Sequence, residues 1–334
     1  MNLTTASPAS EVLNEQVLNE EIATAVRDGL TCLPKRLPPW LFYDAEGSRL
    51  FEDITGLPEY DLTRTERSIF ADFAEEILEK AGDGSRLRIV ELGAGSAEKT
   101  RLLLKAAVET QGSLLYEPVD VSGSALQLAK QRIEGEIPGV RVAPLEMDYT
   151  NGFRLTAAGV GERRLVLYIG SSIGNFEPEE AARLLRKVRS QLAPGDGLML
   201  GVDLVKDESI LLDAYDDAAG VTAAFNKNML ARLNRELGGD FDLEAFRHRA
   251  VWNEARSRIE MHLESHAAQT VRLERIDLDV DFAAGETIHT ENSYKYRPGE
   301  PEALLAETGF AVAGVWTDVR GWFAVCLGQA TCGG

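Results

Sequence analysis

Cysteine is scarce in this chain, and long apolar runs and a basic N-terminal segment are missing. Its 334 residues include three cysteines, Cys32, Cys326 and Cys332, which lie far apart or at the end of the chain and match no metal-binding spacing. Such cysteines are typical of unpaired thiols in a reducing compartment. Neither a stretch of about 18 apolar residues nor the pattern of a signal peptide is present. We therefore expect a cytoplasmic protein with no membrane partner.

Basic residues are also in the minority, with 35 Lys and Arg against 54 Asp and Glu, and the formal net charge is −19. A strongly acidic protein repels nucleic-acid phosphates and anionic membrane surfaces at long range. We therefore expect no nucleic-acid partner, and the charge favours a cationic or zwitterionic small ligand. With 44% hydrophobic residues, the chain is large enough for one or two globular domains.

Apolar strands alternate with helices through the middle of the sequence, which predicts a parallel sheet with helices on its faces. The C-terminal residues add a helix and two strands joined by a short turn near Arg320, which indicates an antiparallel pair at the sheet edge. The predicted strands of the parallel part are "RLRIVEL" (86–92), "SLLYEPVDVS", "VRVAPLEMDY" (140–149), "RRLVLYIGSS" (163–172) and "GLMLGVDLV" (197–205). The fold class is therefore α/β, doubly wound and Rossmann-type.

The segment between the parallel part and the C-terminal strands has a different pattern. It holds one helical stretch, "AAGVTAAFNKNMLARLNREL", followed by alternating apolar and polar runs that are typical of an antiparallel meander. Together with the N-terminal residues it predicts a second, α+β domain. The predicted division assigns 65–205 plus 295–334 to the Rossmann-type domain and 11–64 plus 206–294 to the second one.

Residues 89–100 read "IVELGAGSAEKT", in which two glycines follow an apolar strand and precede a helix expected to begin near Ser96. Gly93 and Gly95 lack a Cβ, so their backbone can adopt positive φ and approach a ligand at the carboxyl end of the strand. A tight turn without a ligand would use the same residues. We interpret the loop as a binding loop.

Polar residues follow each strand of the predicted sheet, where ligands of doubly wound folds bind. Asp120 ends the second strand, the position at which an acid accepts hydrogen bonds from a ribose diol. A dinucleotide fingerprint would need a third glycine, but Glu98 stands there and would face a pyrophosphate unfavourably. A nucleoside with a sulfonium and an amino-acid tail, whose carboxylate could pair with Lys99, fits better. The sequence thus indicates S-adenosylmethionine as cofactor.

The chain resembles the histidine Nα-methyltransferases of ergothioneine biosynthesis over about residues 36–326. The resemblance is carried by "VELGAGSAEKTR", "YEPVDVS", "IGSSIGNF", "GVDLVKD", "AYDDAAGVTAAFNKNML" and "HTENSYKY". It implies a Rossmann-type methyltransferase domain with a second, substrate-binding domain. The implied reaction is trimethylation of the α-amino group of free L-histidine to hercynine, and we expect a monomer.

The resemblance also implies site residues. It assigns the methionine part of the cofactor to Gly93 and Lys99. It assigns the ribose to Asp120 and the adenine edge to Asp148 and Tyr149. It assigns the substrate to Tyr60, Asn175, Tyr215, Met261, Glu291 and Ser293, and catalytic orientation of the amine to Tyr43, Asn175 and Gly170.

Structural roles remain open for several of these residues. Asp120 and Asp148 could cap helices, Tyr43 and Tyr60 could only pack their rings, and Asn175 could be a turn residue. Alternation in a strand puts Glu291 and Ser293 on one face, where a carboxylate and a hydroxyl could hold the two nitrogens of an imidazole. The four histidines show no metal-ligand spacing, so no metal is expected.

Two alternative functions also remain open at this point. The first is a related N-methyltransferase that acts on another amino acid or small amine, for which the pair Glu291 and Ser293 would have no role if the side chain were apolar. The second is a non-catalytic nucleoside-binding or dehydrogenase module, which Glu98 disfavours.

Overall fold

A computed structural model describes residues 8–95, 97–149 and 153–331. The helices are α1 (Pro8–Thr31), α2 (Ala45–Gly56), α3 (Leu62–Gly82), α4 (Arg101–Gln111), α5 (Gly123–Glu136), α6 (Pro178–Arg189), α7 (Glu208–Asp213), α8 (Val221–Leu237) and α9 (Glu300–Glu307). The strands are β1 (Lys35–Arg36), β2 (Arg86–Leu92), β3 (Leu114–Asp120), β4 (Val140–Val142), β5 (Leu145–Glu146), β6 (Glu162–Tyr168), β7 (Gly197–Asp203), β8 (Phe246–Asn253), β9 (Arg258–Ser265), β10 (Gln269–Leu273), β11 (Leu278–Phe282), β12 (Thr287–Tyr294), β13 (Phe310–Thr317) and β14 (Phe323–Ala330).

The chain forms two compact units. The described parts of Met1–Tyr60 and Asp207–Asn292 form one, the accessory unit, and those of Asp61–Lys206 and Ser293–Gly334 form the other, the Rossmann unit. Which ligand each unit binds stays a prediction.

The Rossmann unit contains a sheet in the order β13-β14-β7-β6-β2-β3-β4, and β5 also pairs with β3. The pairs from β7 to β4 are parallel, whereas β14 runs antiparallel to both β7 and β13. The predicted Rossmann-type fold and the antiparallel edge are therefore confirmed. The chain order changes direction at β2, so the carboxyl ends of β2 and β6 form the switch point where such folds bind ligands.

The core of this sheet follows from the apolar strands of the sequence. All seven residues of β7 are buried, and so are six of the seven in β2, because helices cover both faces of a parallel sheet. A buried cluster extends from Val90 and Val119 through Leu200 to Cys326. Burial raises the pKa of the Cys326 thiol to about 12, and both described cysteines are free.

Two local predictions in the Rossmann unit are wrong in detail. The helix expected near Ser96 begins at Arg101, because Glu98, Lys99 and Thr100 form a turn first; Ser96 itself lies outside the described residues. The predicted strand 140–149 is two short strands, β4 and β5.

The accessory unit contains a sheet in the order β1-β12-β9-β8 and a separate hairpin of β10 and β11. The predicted single meander is therefore wrong. The Ser265 amide donates to the Glu286 carbonyl at 2.9 Å, and the Gly285 amide donates to the Ser265 carbonyl at 2.8 Å. The segment that leads into β12 thus lies beside β9, and the β10–β11 hairpin is an excursion between them. The predicted helix is α8, as expected.

None of the helices in the described part of the chain is long and apolar enough to cross a membrane.

Candidate active site

The glycine loop after β2 has a conformation that needs its glycines. Gly93 has a φ of 69°, and a Cβ at this position would lie 3.2 Å from the Tyr149 hydroxyl. Gly95 has a φ of 49° and donates its amide to Asp120 Oδ2 at 2.9 Å. Side chains other than glycine rarely adopt such angles. The structure thus brings the predicted cofactor residues Gly93, Asp120 and Tyr149 together at the carboxyl ends of β2 and β3.

The Asp120 carboxylate accepts hydrogen bonds from the loops that follow β2 and β3. Its Oδ2 accepts from Gly95, and its Oδ1 accepts from the Ser122 amide at 3.0 Å. Ser122, not Asp120, caps α5, so the alternative of Asp120 as a helix cap is wrong. A carboxylate oxygen has two lone pairs, so each can accept a further hydrogen bond from a ligand hydroxyl.

Tyr149 forms an aromatic wall next to Gly93. Its ring meets the edge of Tyr168 at a centroid distance of 5.8 Å, and its neighbour Asp148 is half-buried. Burial raises the pKa of Tyr149 to about 12, so the phenol remains protonated. An apolar ring with a neutral hydroxyl is suited to a flat, uncharged ligand group.

Lys99 pairs with an acid that the sequence analysis missed. Glu66, fully buried on α3, lies 3.1 Å from Lys99 Nζ and accepts the Gly170 amide at 2.9 and 3.1 Å. A Cβ on Gly201 would lie 2.1 Å from the Glu66 carboxylate. A glycine inside an apolar strand indicates close approach of another group, and Gly201 was the signal that could have led to Glu66.

A second buried acid, Glu91, lies on β2 just before the glycine loop. Glu91 accepts hydrogen bonds from Thr100 at 2.7 Å and from the Tyr116 hydroxyl. Burial raises the pKa of Glu91 to about 7, although both hydrogen bonds act in the opposite direction. The glutamate of "VELGAG" therefore carries a proton for part of the neutral pH range.

The loop after β6 lies close to Lys99 and is hydrogen-bonded to Asp203 of β7. Gly170 has a φ of 77°, and a Cβ there would lie 2.3 Å from Lys99 Nζ. Ser171 accepts the Asp203 amide at 3.0 Å. Asn175 is half-buried and ends the 3₁₀ turn Ser172–Asn175, so it does occupy a turn; its role towards a ligand stays a prediction.

In the accessory unit, three of the predicted site residues share one aromatic cluster. Tyr43 is 38% exposed and packs edge-on against Phe51 and Phe225, at centroid distances of 5.9 and 6.0 Å. Tyr60 is buried between Phe51, at 6.4 Å, and Tyr215, at 6.2 Å. Ring packing therefore accounts for part of the role of each tyrosine.

A histidine fixes the backbone of Tyr215. His248 Nε2 lies 2.7 Å from the Tyr215 carbonyl, so this nitrogen is the donor, and Nδ1 accepts from Asn226 at 2.8 Å. Burial lowers the pKa of His248, which favours this neutral form. The role of His248 is structural.

The remaining predicted substrate residues lie on strands. Met261 on β9 is 1% exposed, and its carbonyl accepts from the Thr290 hydroxyl of β12 at 3.0 Å. Glu291 and Ser293 follow on β12 and are both buried. Among the described residues no cluster of histidine, cysteine and acidic side chains could hold a metal ion.

Comparison with known proteins assigns the chain to a family. The model of the SAM-dependent, histidine-specific methyltransferases matches residues 22–330. The chain is 48% identical over 309 residues to a histidine N-alpha-methyltransferase of Mycolicibacterium smegmatis, covering 92% of this chain and 94% of that one. It is 45% identical over 303 residues to the enzyme of that name from Mycobacterium tuberculosis, covering 90% and 92% of the two chains.

A longer relative shares part of its length with this chain. Ergothioneine biosynthesis protein 1 of Neurospora crassa is 30% identical over 303 residues, which cover 85% of this chain and 32% of that protein. With a sheet of Rossmann order, a glycine loop at its switch point and a family match over most of its length, the chain belongs to the SAM-dependent, histidine-specific methyltransferases.

Proposed function

We propose that the protein transfers three methyl groups from S-adenosylmethionine to the α-nitrogen of free L-histidine, giving hercynine. The family match carries this proposal, and the buried Glu291 and Ser293 on β12 support histidine over an amino acid with an apolar side chain. The similarity to ergothioneine biosynthesis protein 1 supports a place for this reaction in ergothioneine biosynthesis.

The glycine loop fits the cofactor. A Cβ on Gly93 would fill the space next to the Tyr149 hydroxyl, which supports close approach of a ligand at this point. We assign the ribose hydroxyls to Asp120, the adenine edge to Asp148 and Tyr149, and the methionine carboxylate to Lys99. The ammonium of Lys99 would then be shared between Glu66 and the ligand.

For the substrate, we assign the carboxylate to Asn175 and Tyr215 and the imidazole to Tyr60, Glu291 and Ser293. Met261 is an apolar neighbour of the ring in this assignment. A site that hydrogen-bonds both ring nitrogens discriminates strongly against side chains that leave its polar groups unpaired.

The chemistry needs positioning more than activation. S-adenosylmethionine supplies an electrophilic methyl on a sulfonium, and an in-line attack by a neutral amine follows from correct placement. Tyr43 and the Gly170 carbonyl would orient the amine, and the Glu66 carboxylate holds the backbone of this loop by accepting the Gly170 amide. An α-amino group has a pKa of about 8, so Tyr43 or water is a sufficient proton acceptor.

The direct test is incubation of the purified protein with S-adenosylmethionine and each of the free amino acids and small amines, followed by mass spectrometry. We expect histidine alone to gain mass, by up to three methyl groups. Methylation of another amino acid or amine in preference to histidine would favour the related N-methyltransferase instead.

A further inference from the structure

The ion pair of Glu66 and Lys99 is closed at the acid and open at the lysine. Both residues belong to the Rossmann unit. The Glu66 side chain has no exposed surface, whereas the Lys99 side chain is 24% exposed. A ligand can therefore reach this pair through Lys99 and not through Glu66. Burying an ion pair adds little to stability, because the loss of hydration offsets the attraction between the charges. The pair thus calls for a role other than stability.

Two glycines leave the space that this pair occupies. A Cβ on Gly170 would collide with Lys99 Nζ, and a Cβ on Gly201 would collide with the Glu66 carboxylate. Gly170 follows β6 and has a φ of 77°, and Gly201 lies inside the buried strand β7. Glycine at such positions indicates close approach of another group. The backbone of the sheet is therefore shaped around both charged ends of the pair.

The Glu66 carboxylate is itself fixed by the backbone. It accepts the Gly170 amide at 2.9 Å on Oε1 and 3.1 Å on Oε2, and Oε2 lies 3.1 Å from Lys99 Nζ. A lysine side chain has a large rotamer entropy, and ordering it when a ligand binds reduces affinity. Pairing with a fixed carboxylate orders Lys99 before a ligand arrives. An ammonium has several N–H donors, so it can bind Glu66 and a ligand carboxylate at once.

We propose that Glu66 is a positioning residue that orders the Lys99 ammonium for the carboxylate of the methionine part of S-adenosylmethionine. Glu66 acts through Lys99 and touches no reacting atom. This inference rests on the assignment of that carboxylate to Lys99 in the proposed function. It predicts that Glu66 strengthens the binding of ligands that carry the carboxylate more than the binding of ligands that lack it.

Two ligands that differ in the carboxylate test this prediction. S-adenosylhomocysteine carries it, and 5′-(3-aminopropylthio)-5′-deoxyadenosine keeps the adenosine, the thioether and the ammonium but lacks it. Calorimetry gives the ratio of the two Kd values. In the parent protein we expect the ligand without the carboxylate to bind roughly ten- to hundredfold more weakly, the range for a hydrogen bond between charged groups. Lys99→Met should bring the ratio close to unity.

Replacement of the glutamate should reduce the same ratio. The amide of Glu66→Gln has one acceptor oxygen, so it cannot accept from both the Gly170 amide and Lys99, and its NH₂ group faces the other donor. The flexible lysine gives way before the backbone does, and the ratio should shrink severalfold. The double variant Glu66→Gln/Lys99→Met should have the ratio of Lys99→Met, since Glu66 acts through Lys99. Glu75→Gln, at an exposed acid of α3, should keep the parent ratio.

A second variant disturbs the lysine without changing Glu66. The Cβ of Gly170→Ala would push Lys99 Nζ from its place, so the ratio should shrink here as well. Gly84 has nearly the same backbone angle, a φ of 79°, and a Cβ there would meet nothing within 4 Å. Gly84→Ala is therefore the matched control and should keep the parent ratio. This comparison tests the proposal even if Glu66→Gln does not fold.

The charges of Glu66 and Lys99 also act on Glu91. Burial raises the pKa of Glu91 to about 7, and the charge of Lys99 lowers this pKa while that of Glu66 raises it. The ratios are therefore measured at pH 6 and at pH 8, on either side of that pKa. The ratio should shrink in Glu66→Gln at both values. A change at only one of them would assign the effect to the charge of Glu91 and overturn the proposal.

The remaining outcomes separate this inference from the proposed function. Equal weakening of both ligands in Glu66→Gln would overturn the positioning role, because Glu66 would then only support the loop. A larger ratio would overturn it too, because Glu66 would then compete with the ligand carboxylate for Lys99. A parent ratio close to unity would overturn both the inference and the assignment of Lys99. Failure of S-adenosylhomocysteine to bind the parent protein would contradict the proposed function itself.

Discussion

The carboxyl edge of the parallel sheet and the aromatic cluster of the accessory unit are built in different ways. At the sheet edge, the region is formed mainly by backbone: Gly93 and Gly95 have positive φ, and Asp120 accepts hydrogen bonds from backbone amides of two loops. In the aromatic cluster, side chains fix one another: Tyr43 packs against Phe51 and Phe225. Tyr60 packs against Phe51 and Tyr215.

The difference matters for what each region can recognise. A backbone-built loop fits one ligand closely and tolerates little substitution, whereas a side-chain cluster can change its specificity by replacing one or two residues. We therefore expect substitutions at the sheet edge to affect cofactor binding and stability, and substitutions in the accessory unit to affect the choice of substrate.

The largest expected effect contrasts one acid from each unit, the buried Glu91 and the half-buried Glu260. Burial raises the pKa of Glu91 to about 7, whereas for Glu260 burial is outweighed by hydrogen bonds from Asn253 and Arg258, which lower its pKa to about 2. Glu91 therefore contributes stability that is complete below pH 4.5 and is lost as the pH rises through about 7. Glu260 contributes stability that is complete above pH 4.5 and is lost only as the pH falls towards 2.

Urea unfolding of Glu91→Gln and Glu260→Gln between pH 5 and 8 tests this contrast. The pKa of Glu91 implies a pH-dependent term of up to about 3 kcal/mol, which Glu91→Gln should remove. Glu260→Gln should shift the unfolding free energy equally at all these pH values. Parallel pH profiles for the parent and Glu91→Gln would contradict the raised pKa.

Glu291→Ala should lower kcat/KM for histidine by roughly two orders of magnitude or more, because it leaves an imidazole N–H unpaired in a buried site. Affinity for S-adenosylmethionine should change little. Glu244→Ala, an exposed acid of the accessory unit, is the matched control. Methylation of histidine by Glu291→Ala at close to the parent rate would remove Glu291 from the imidazole site.

Asp120→Ala should weaken S-adenosylmethionine and S-adenosylhomocysteine binding by about 1.5–3 kcal/mol, the range for hydrogen bonds to a charged group. Asp120 also accepts the amides of Gly95 and Ser122. Asp120→Asn keeps one acceptor oxygen, so its cofactor affinity should lie between those of the parent and of Asp120→Ala. Calorimetry measures the cofactor affinity of both variants, and Glu109→Ala, a change at an exposed acid, is the control. Unchanged affinity in a folded Asp120→Ala protein would exclude Asp120 from the ribose.

The smallest effect compares two glycines of the Rossmann unit. Gly93 and Gly84 both have positive φ, but a Cβ on Gly84 would meet nothing within 4 Å. Each change to alanine should cost about 1–2 kcal/mol of stability for the backbone angle. Gly93→Ala should cost up to about 1 kcal/mol more, because the Tyr149 hydroxyl would have to move slightly away from the new Cβ. Urea unfolding checks this, and an equal cost at both positions would show that Tyr149 moves freely.

The sequence predicted the Rossmann unit well because its signals are local. The apolar strands and the loop "ELGAGS" lie within short windows, and parallel strands align their carboxyl ends, so residues after consecutive strands meet. The prediction failed where partners are far apart in the chain. Glu66 lies on a helix before the sheet begins, and its contacts with Lys99 and Gly170 depend on packing that no local pattern specifies.

The accessory unit was harder to predict for the same reason. The tyrosines at 43, 60 and 215 come from three separate segments, and only the family resemblance singled them out. The excursion of β10 and β11 depends on Ser265 pairing with residues 285 and 286 in place of its sequence neighbours. Alternating polarity alone cannot distinguish that arrangement from a continuous meander.

The position of the transferred methyl groups tests the central claim most directly. Histidine is incubated with excess methyl-labelled S-adenosylmethionine, and NMR correlates each new methyl with its nitrogen. We predict that one, two and then three methyls appear on the α-nitrogen and none on the ring, because the proposed assignment gives the imidazole to Glu291 and Ser293 and the amine to Tyr43 and Gly170. A first methyl on an imidazole nitrogen would contradict this account.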